Sequence, residues 1–99
     1  MRQLRWYTIY NFNDAPTTAG VYMYMAGDTP IYIGKAVNLK ARLGSHAQNA
    51  KLDPREAAIV SGADHLRYTE TDTEFKALLL EASLIQQHQP HYNRALKDD

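Results

Sequence analysis

The sequence predicts a small α+β domain, a three-stranded antiparallel sheet flanked by helices. Three observations predict it. Two β-rich runs, "GVYMYM" and "PIYIG", are separated by "AGDT", a turn composition. A third β-rich run, "HLRYTE", comes after two short helical segments. A long helix, opened by a capping signal in "TDTE", then runs from Thr73 to about Gln89. The order β-β-α-α-β-α in 99 residues suits one domain with one modest core.

Taken in order, residues 1–19 form an N-terminal extension with a candidate edge strand. Leu4, Trp6, Tyr10 and Phe12 share one parity there, and "NDAPTT" breaks the pattern with turn residues. The domain proper spans residues 20–97 and starts with the hairpin. With its turn near Asp28, period-two alternation puts Tyr22, Tyr24 and Tyr32 on one face. Val21, Met23, Ile31 and Ile33 take the other, apolar face. In "NLKARLGSHAQNA", Asn38 caps a helix whose buried stripe includes Leu39 and Leu43. Arg42 and His46 are four apart and share a face of it. Gly44 costs that helix roughly 1 kcal/mol against alanine, which points to a close packing contact. In "DPREAAIVSG", Asp53 caps, Pro54 takes the first helical position and Gly62 ends the segment. Pro90 stops the long helix, and "HYNRALKDD" trails off.

Composition narrows the function classes. Hydrophobic content of 44% and charged content of 22% are ordinary for a globular chain. No apolar run approaches the ~20 residues of a membrane span, and "MRQLRWYTIYNF" lacks the pattern of a signal peptide. The absence of cysteine removes disulfides, thiolate zinc sites and cysteine nucleophiles, and fits a cytoplasmic protein. Zero net charge argues against binding DNA by bulk charge. Lys35, Lys40 and Arg42 still allow a local basic patch for DNA.

Glu81 is the most informative residue. On a helical wheel its neighbours are Ala77, Leu78, Leu84 and Ile85, so its carboxylate must be ion-paired, protonated or bound to a metal. The tyrosine face reads equally as amphipathic packing, and Lys35, Arg42 and His46 as solvated side chains. His46, His65, His88 and His91 have no cysteine to support a zinc reading. No Gly-rich phosphate loop or nucleophile elbow is present. The remaining set of phenols, cations, a histidine and one carboxylate is what phosphodiester hydrolysis with a divalent metal requires.

"GVY", nine residues, then "YIGK" resembles the signature of the GIY-YIG nucleases, with Val21 in place of isoleucine. "YIGKAVNLKARL" followed by "TETDTEFKALLLEASLIQQHQPHYN" is similar to the N-terminal endonuclease domain of the UvrC and Cho proteins of excision repair. The resemblance implies a metal-dependent DNA endonuclease domain using Mg²⁺ or Mn²⁺ and incising 3′ to a lesion. Other excision-repair proteins would be its partners. It also implies roles. Tyr22 and Tyr32 are the motif tyrosines, with Tyr22 activating water. Lys35 and Arg42 hold the phosphate, with Lys40 nearby, and Glu81 holds the metal. Asn93 helps shape the site. His46 stands where many UvrC domains have tyrosine, which leaves two candidate bases. The rival reading is a catalytically quiet DNA-binding or docking module of the same fold. Loss of Tyr22, Arg42 or Glu81 would have favoured it, and all three are present.

Overall fold

A computed structural model describes residues 4–95. Strand β1 (Tyr7–Ile9) leads through a 3₁₀ turn (Phe12–Asp14) into the hairpin β2 (Gly20–Ala26) and β3 (Thr29–Ala36). Helices α1 (Leu39–Asn49) and α2 (Pro54–Gly62), strand β4 (His65–Glu70) and helices α3 (Glu74–His88) and α4 (His91–Ala95) follow. The sheet is antiparallel with order β1-β4-β2-β3.

It therefore has four strands, not the three expected. Tyr7–Ile9 adds to β4 opposite Tyr68, Arg67 and Leu66. The strand is only three residues long because the chain turns at Asn11, whose side chain accepts from the Asn13 N–H. The single parity expected for Trp6 and Phe12 is lost in that turn. Trp6 packs on one sheet face and Phe12 on the other.

The hairpin face is as expected except at Ile31. Tyr24 pairs with Tyr32, but Met25 pairs with Pro30, so Ile31 is an extra, bulged residue. A bulge re-aims side chains, and Ile31 packs among the tyrosines rather than beside Ile33. Val21, Met23, Met25 and Ile33 form the other face, covered by α3 through Ala77, Leu80, Leu84 and Ile85. The sheet is thus a middle layer, with α1 and α2 on the phenol side and α3 behind.

The helix signals act locally. Asn38 accepts from Ala41 N–H at 3.0 Å, Asp53 from Arg55 N–H at 2.9 Å, and Thr73 from Lys76 N–H at 3.1 Å. The α3 cap is Thr73 itself, so Lys76 rather than Glu74 occupies the third helical position. Leu39 and Leu43 are fully buried. At about 1.5–3 kcal/mol each, they outweigh the ~1 kcal/mol cost of Gly44, where a Cβ would stand 3.3 Å from the Phe12 ring. The chain does not trail off after Pro90. Gln89 adopts a left-handed turn at φ 46°, and α4 follows.

Candidate active site

Strands β2 and β3 lay three phenols side by side, with Tyr24 opposite Tyr32 and Tyr22 opposite Gly34. Position 34 has no room for a side chain. A Cβ there would lie 2.3 Å from the Tyr22 oxygen. Helix α1, anchored by Leu39 and Leu43, sets His46 among the rings, with centroids 5.5 Å from Tyr22 and 5.7 Å from both Tyr24 and Tyr32. The His46 Nε2 is 2.6 Å from the Tyr22 hydroxyl, and its Nδ1 is 2.5 Å from Glu56 Oε1. Sequence reasoning missed Glu56. Its only sequence signal is an acidic residue in the first turn of α2, which reads as a helix-dipole partner.

The two motif tyrosines differ. Tyr22 is 1% exposed and its hydroxyl is taken by His46. Burial pushes its phenol far above the ordinary value, the neighbouring Tyr32 adds to that, and the nearby Arg42 charge opposes it. Tyr22 as the group that meets water does not fit this burial. Tyr32 is half-buried, and its hydroxyl makes no hydrogen bond among the described residues. Burial raises it too; Arg42 pulls it down, while Glu56 and Glu81 push it up. His46, at 3% exposed with both nitrogens engaged, does not face solvent either.

Arg42 and Lys35 are exposed on this side of the molecule. They line one groove of about 690 Å³ that also touches Val37, Ser45, Phe75 and Leu78. Lys40 is exposed on α1 but is not part of the groove lining. Glu81 comes from α3, behind the sheet, and is half-buried. Burial raises its carboxyl, while the Lys35 charge, the Lys35 backbone N–H bonded to it and Arg42 lower it. The carboxylate thus lies within electrostatic range of both cations. Asn93 does not project into this set. Its Oδ1 accepts from Ile33 N–H at 2.8 Å and its Nδ2 donates to the Ile33 carbonyl at 2.9 Å. It fixes the strand that carries Tyr32, Gly34 and Lys35.

No three His, Asp or Glu side chains gather into a metal centre among the described residues. A single carboxylate nevertheless suits Mg²⁺, which keeps several waters and takes one or two carboxylates plus phosphate oxygens. Glu81, desolvated yet beside donors, fits that role.

Phenols and cations gathered at the edge of an antiparallel sheet, with one carboxylate brought round from the far layer, define a small nuclease domain. The sequence model of the UvrC-like GIY-YIG domain matches residues 18–94, and the chain belongs to that family. UvrABC system protein C of Aquifex aeolicus is 49% identical over 80 residues, covering 81% of this chain and 14% of that protein. The protein of the same name from Deinococcus radiodurans is 46% identical over 84 residues, 85% of this chain and 13% of the relative. The chain thus spans about a seventh of the length of these relatives. The crystal structure of the GIY-YIG N-terminal endonuclease domain of UvrC from Thermotoga maritima, bound to magnesium as its catalytic divalent cation, superposes with a TM-score of 0.77. It is 36% identical and covers 82% of this chain and 89% of that one. Variants of that domain with a tyrosine changed to phenylalanine, or an asparagine to alanine, also hold the catalytic divalent cation.

Proposed function

We propose that this domain hydrolyses a phosphodiester bond of DNA with one divalent cation, Mg²⁺ or Mn²⁺, as the 3′-side incision of nucleotide excision repair, alongside other excision-repair proteins. The observation that carries the reading is that Lys35 of β3 and Arg42 of α1 stand close enough to Glu81 of α3 for their charges to lower its carboxyl against burial. The magnesium-bound relative supports the choice of ion. That relative's phenylalanine variants keep their cation, in keeping with a metal held by carboxylate rather than by phenols.

Each residue then has a task. Lys35 and Arg42 hold the non-bridging oxygens of the scissile phosphate, Arg42 with a planar two-pronged contact. Glu81 holds the cation, which when bound supplies Lewis-acid polarisation and a more acidic water. Tyr32, the less buried of the two motif phenols, orients the attacking water. A phenol is ordinarily neutral at pH 7, and burial pushes this one further in the same direction. Tyr22 and His46 support Arg42 from below. Lys40 adds a phosphate contact farther along the DNA. Asn93 keeps β3 in register.

The test is incubation of the purified chain with supercoiled plasmid. Nicking with Mn²⁺ or Mg²⁺ that stops with EDTA is expected, and Glu81→Ala should be inactive. Binding of DNA without nicking under any divalent ion would favour the quiet docking module.

A further inference from the structure

The buried chain beneath Arg42 has a direction that its chemistry dictates. A carboxylate only accepts, so at 2.5 Å from Glu56 the His46 Nδ1 carries the proton. The Tyr22 hydroxyl is buried and needs an acceptor for its hydrogen. No buried side-chain N or O atom lacks a partner among the described residues, and the partner of this hydroxyl at 2.6 Å is His46 Nε2. Nε2 is therefore bare and the imidazole neutral. An imidazolium would aim a second donor at the phenol and leave the hydroxyl hydrogen without an acceptor. The Tyr22 lone pairs then remain for the nearby Arg42, one helical turn before His46 on the same face of α1, whose guanidinium can only donate. The groups facing His46 are Tyr22 and Tyr24 from β2, Tyr32 from β3 and Glu56 from α2.

We infer that Glu56 is a positioning residue of this nuclease site: by holding the His46 Nδ1 proton it keeps Nε2 as the acceptor for Tyr22, and so leaves the Tyr22 oxygen open to orient the Arg42 guanidinium. The inference rests on the proposed role of Arg42 as a phosphate ligand. Without the carboxylate the imidazole can turn its tautomer over. An Nε2–H would then compete with Arg42 for the same oxygen, and Arg42 would lose its fixed seat.

The experiment is ¹⁵N NMR of the His46 ring at neutral pH, together with single-turnover cleavage, for the parent, Glu56→Gln and Glu56→Asp. The parent should show a protonated Nδ1 and a bare Nε2. Glu56→Gln, whose amide can donate or accept, should show a mixed or reversed tautomer. Its rate at saturating DNA should fall roughly 10–100-fold, the scale set by losing the outer partner of a metal-bound histidine. Glu56→Asp keeps a carboxylate and should recover both tautomer and rate in part. A parent ring protonated at Nε2 would overturn the inference. So would a Glu56→Gln variant that cleaves at the parent rate, or one that slows with its tautomer unchanged. Should Glu56→Gln fail to fold, the parent spectrum and Glu56→Asp still decide. Arg42→Ala separates the two readings: parent-like cleavage by that variant would remove the phosphate role of Arg42 and leave the tautomer result standing.

Discussion

Two tyrosines on one face of a hairpin have different fates because of the strands that carry them. Tyr22 lies on central β2, under α1 and α2, while Tyr32 lies on β3 at the edge. Alternation made their shared face legible in the sequence, but not this difference, which depends on strand order. Tyr32→Phe removes a hydroxyl with no hydrogen-bond partner among the described residues. Its melting temperature should match the parent while single-turnover cleavage falls by ~10²–10⁴. Tyr22→Phe leaves His46 Nε2 unsatisfied and should cost about 1–3 kcal/mol in denaturant unfolding. The raised phenol of Tyr22 also has a pH signature. A group whose folded value lies above its unfolded ~10 contributes stability below that pH and loses it as pH climbs further. Melts from pH 9 to 11 should therefore fall more gently for Tyr22→Phe than for the parent; parallel curves would refute this. Glu81 is the same case at lower pH. Burial raises its carboxyl, so its ionised form destabilises the metal-free fold above the ordinary carboxylate range. Metal-free Glu81→Gln at pH 7 should melt at or above the parent, and only the parent should gain from added Mg²⁺. A loss of ~3–5 kcal/mol would instead mark a structural ion pair. Glu81 stood out in the sequence because a helical wheel exposes a lone carboxylate. Glu56 did not, because its contact with His46 exists only once α1 and α2 fold against each other.

Elements whose signals are local were the most legible. Asn38, Asp53 and Pro54 mark helix starts that need only neighbouring residues to form. The bulge at Ile31 depends on its partner strand and no short-range pattern announces it, while the strand Tyr7–Ile9 showed in the sequence only as strand-forming residues, its pairing with β4 set elsewhere in the sheet. Helix α4 was hidden because Pro90 reads as a stop, whereas the left-handed turn at Gln89 lets the chain restart at once. That restart delivers Asn93 to the backbone of Ile33. Asn93→Ala should raise the amide exchange rate of Ile33 by at least tenfold. Cleavage should weaken with it, because β3 carries Tyr32 and Lys35. Unchanged Ile33 protection would show that α4 packing alone holds the strand.

At the scale of the whole molecule, the site exists only where two helical layers meet around one edge of the sheet. His46 comes from α1 in the front layer and Glu81 from α3 in the back. The chain has no net charge, so DNA attraction falls to the few cations near this edge. If Lys35, Lys40 and Arg42 each neutralise one phosphate, log K against log salt should have a slope of about −2 to −3. Fluorescence anisotropy with a labelled duplex measures it, and a slope steeper than about −6 would require a second DNA surface. The Asn93 amide carries a further consequence. An edge strand offers unpaired N–H and C=O groups on which another chain can build. At Ile33 both groups are already spent on Asn93, in the middle of β3. The same side chain that steadies the reactive edge also denies it to a neighbouring copy. Losing it would open a seam for strand-by-strand self-association, seen in sedimentation as mass that grows with concentration.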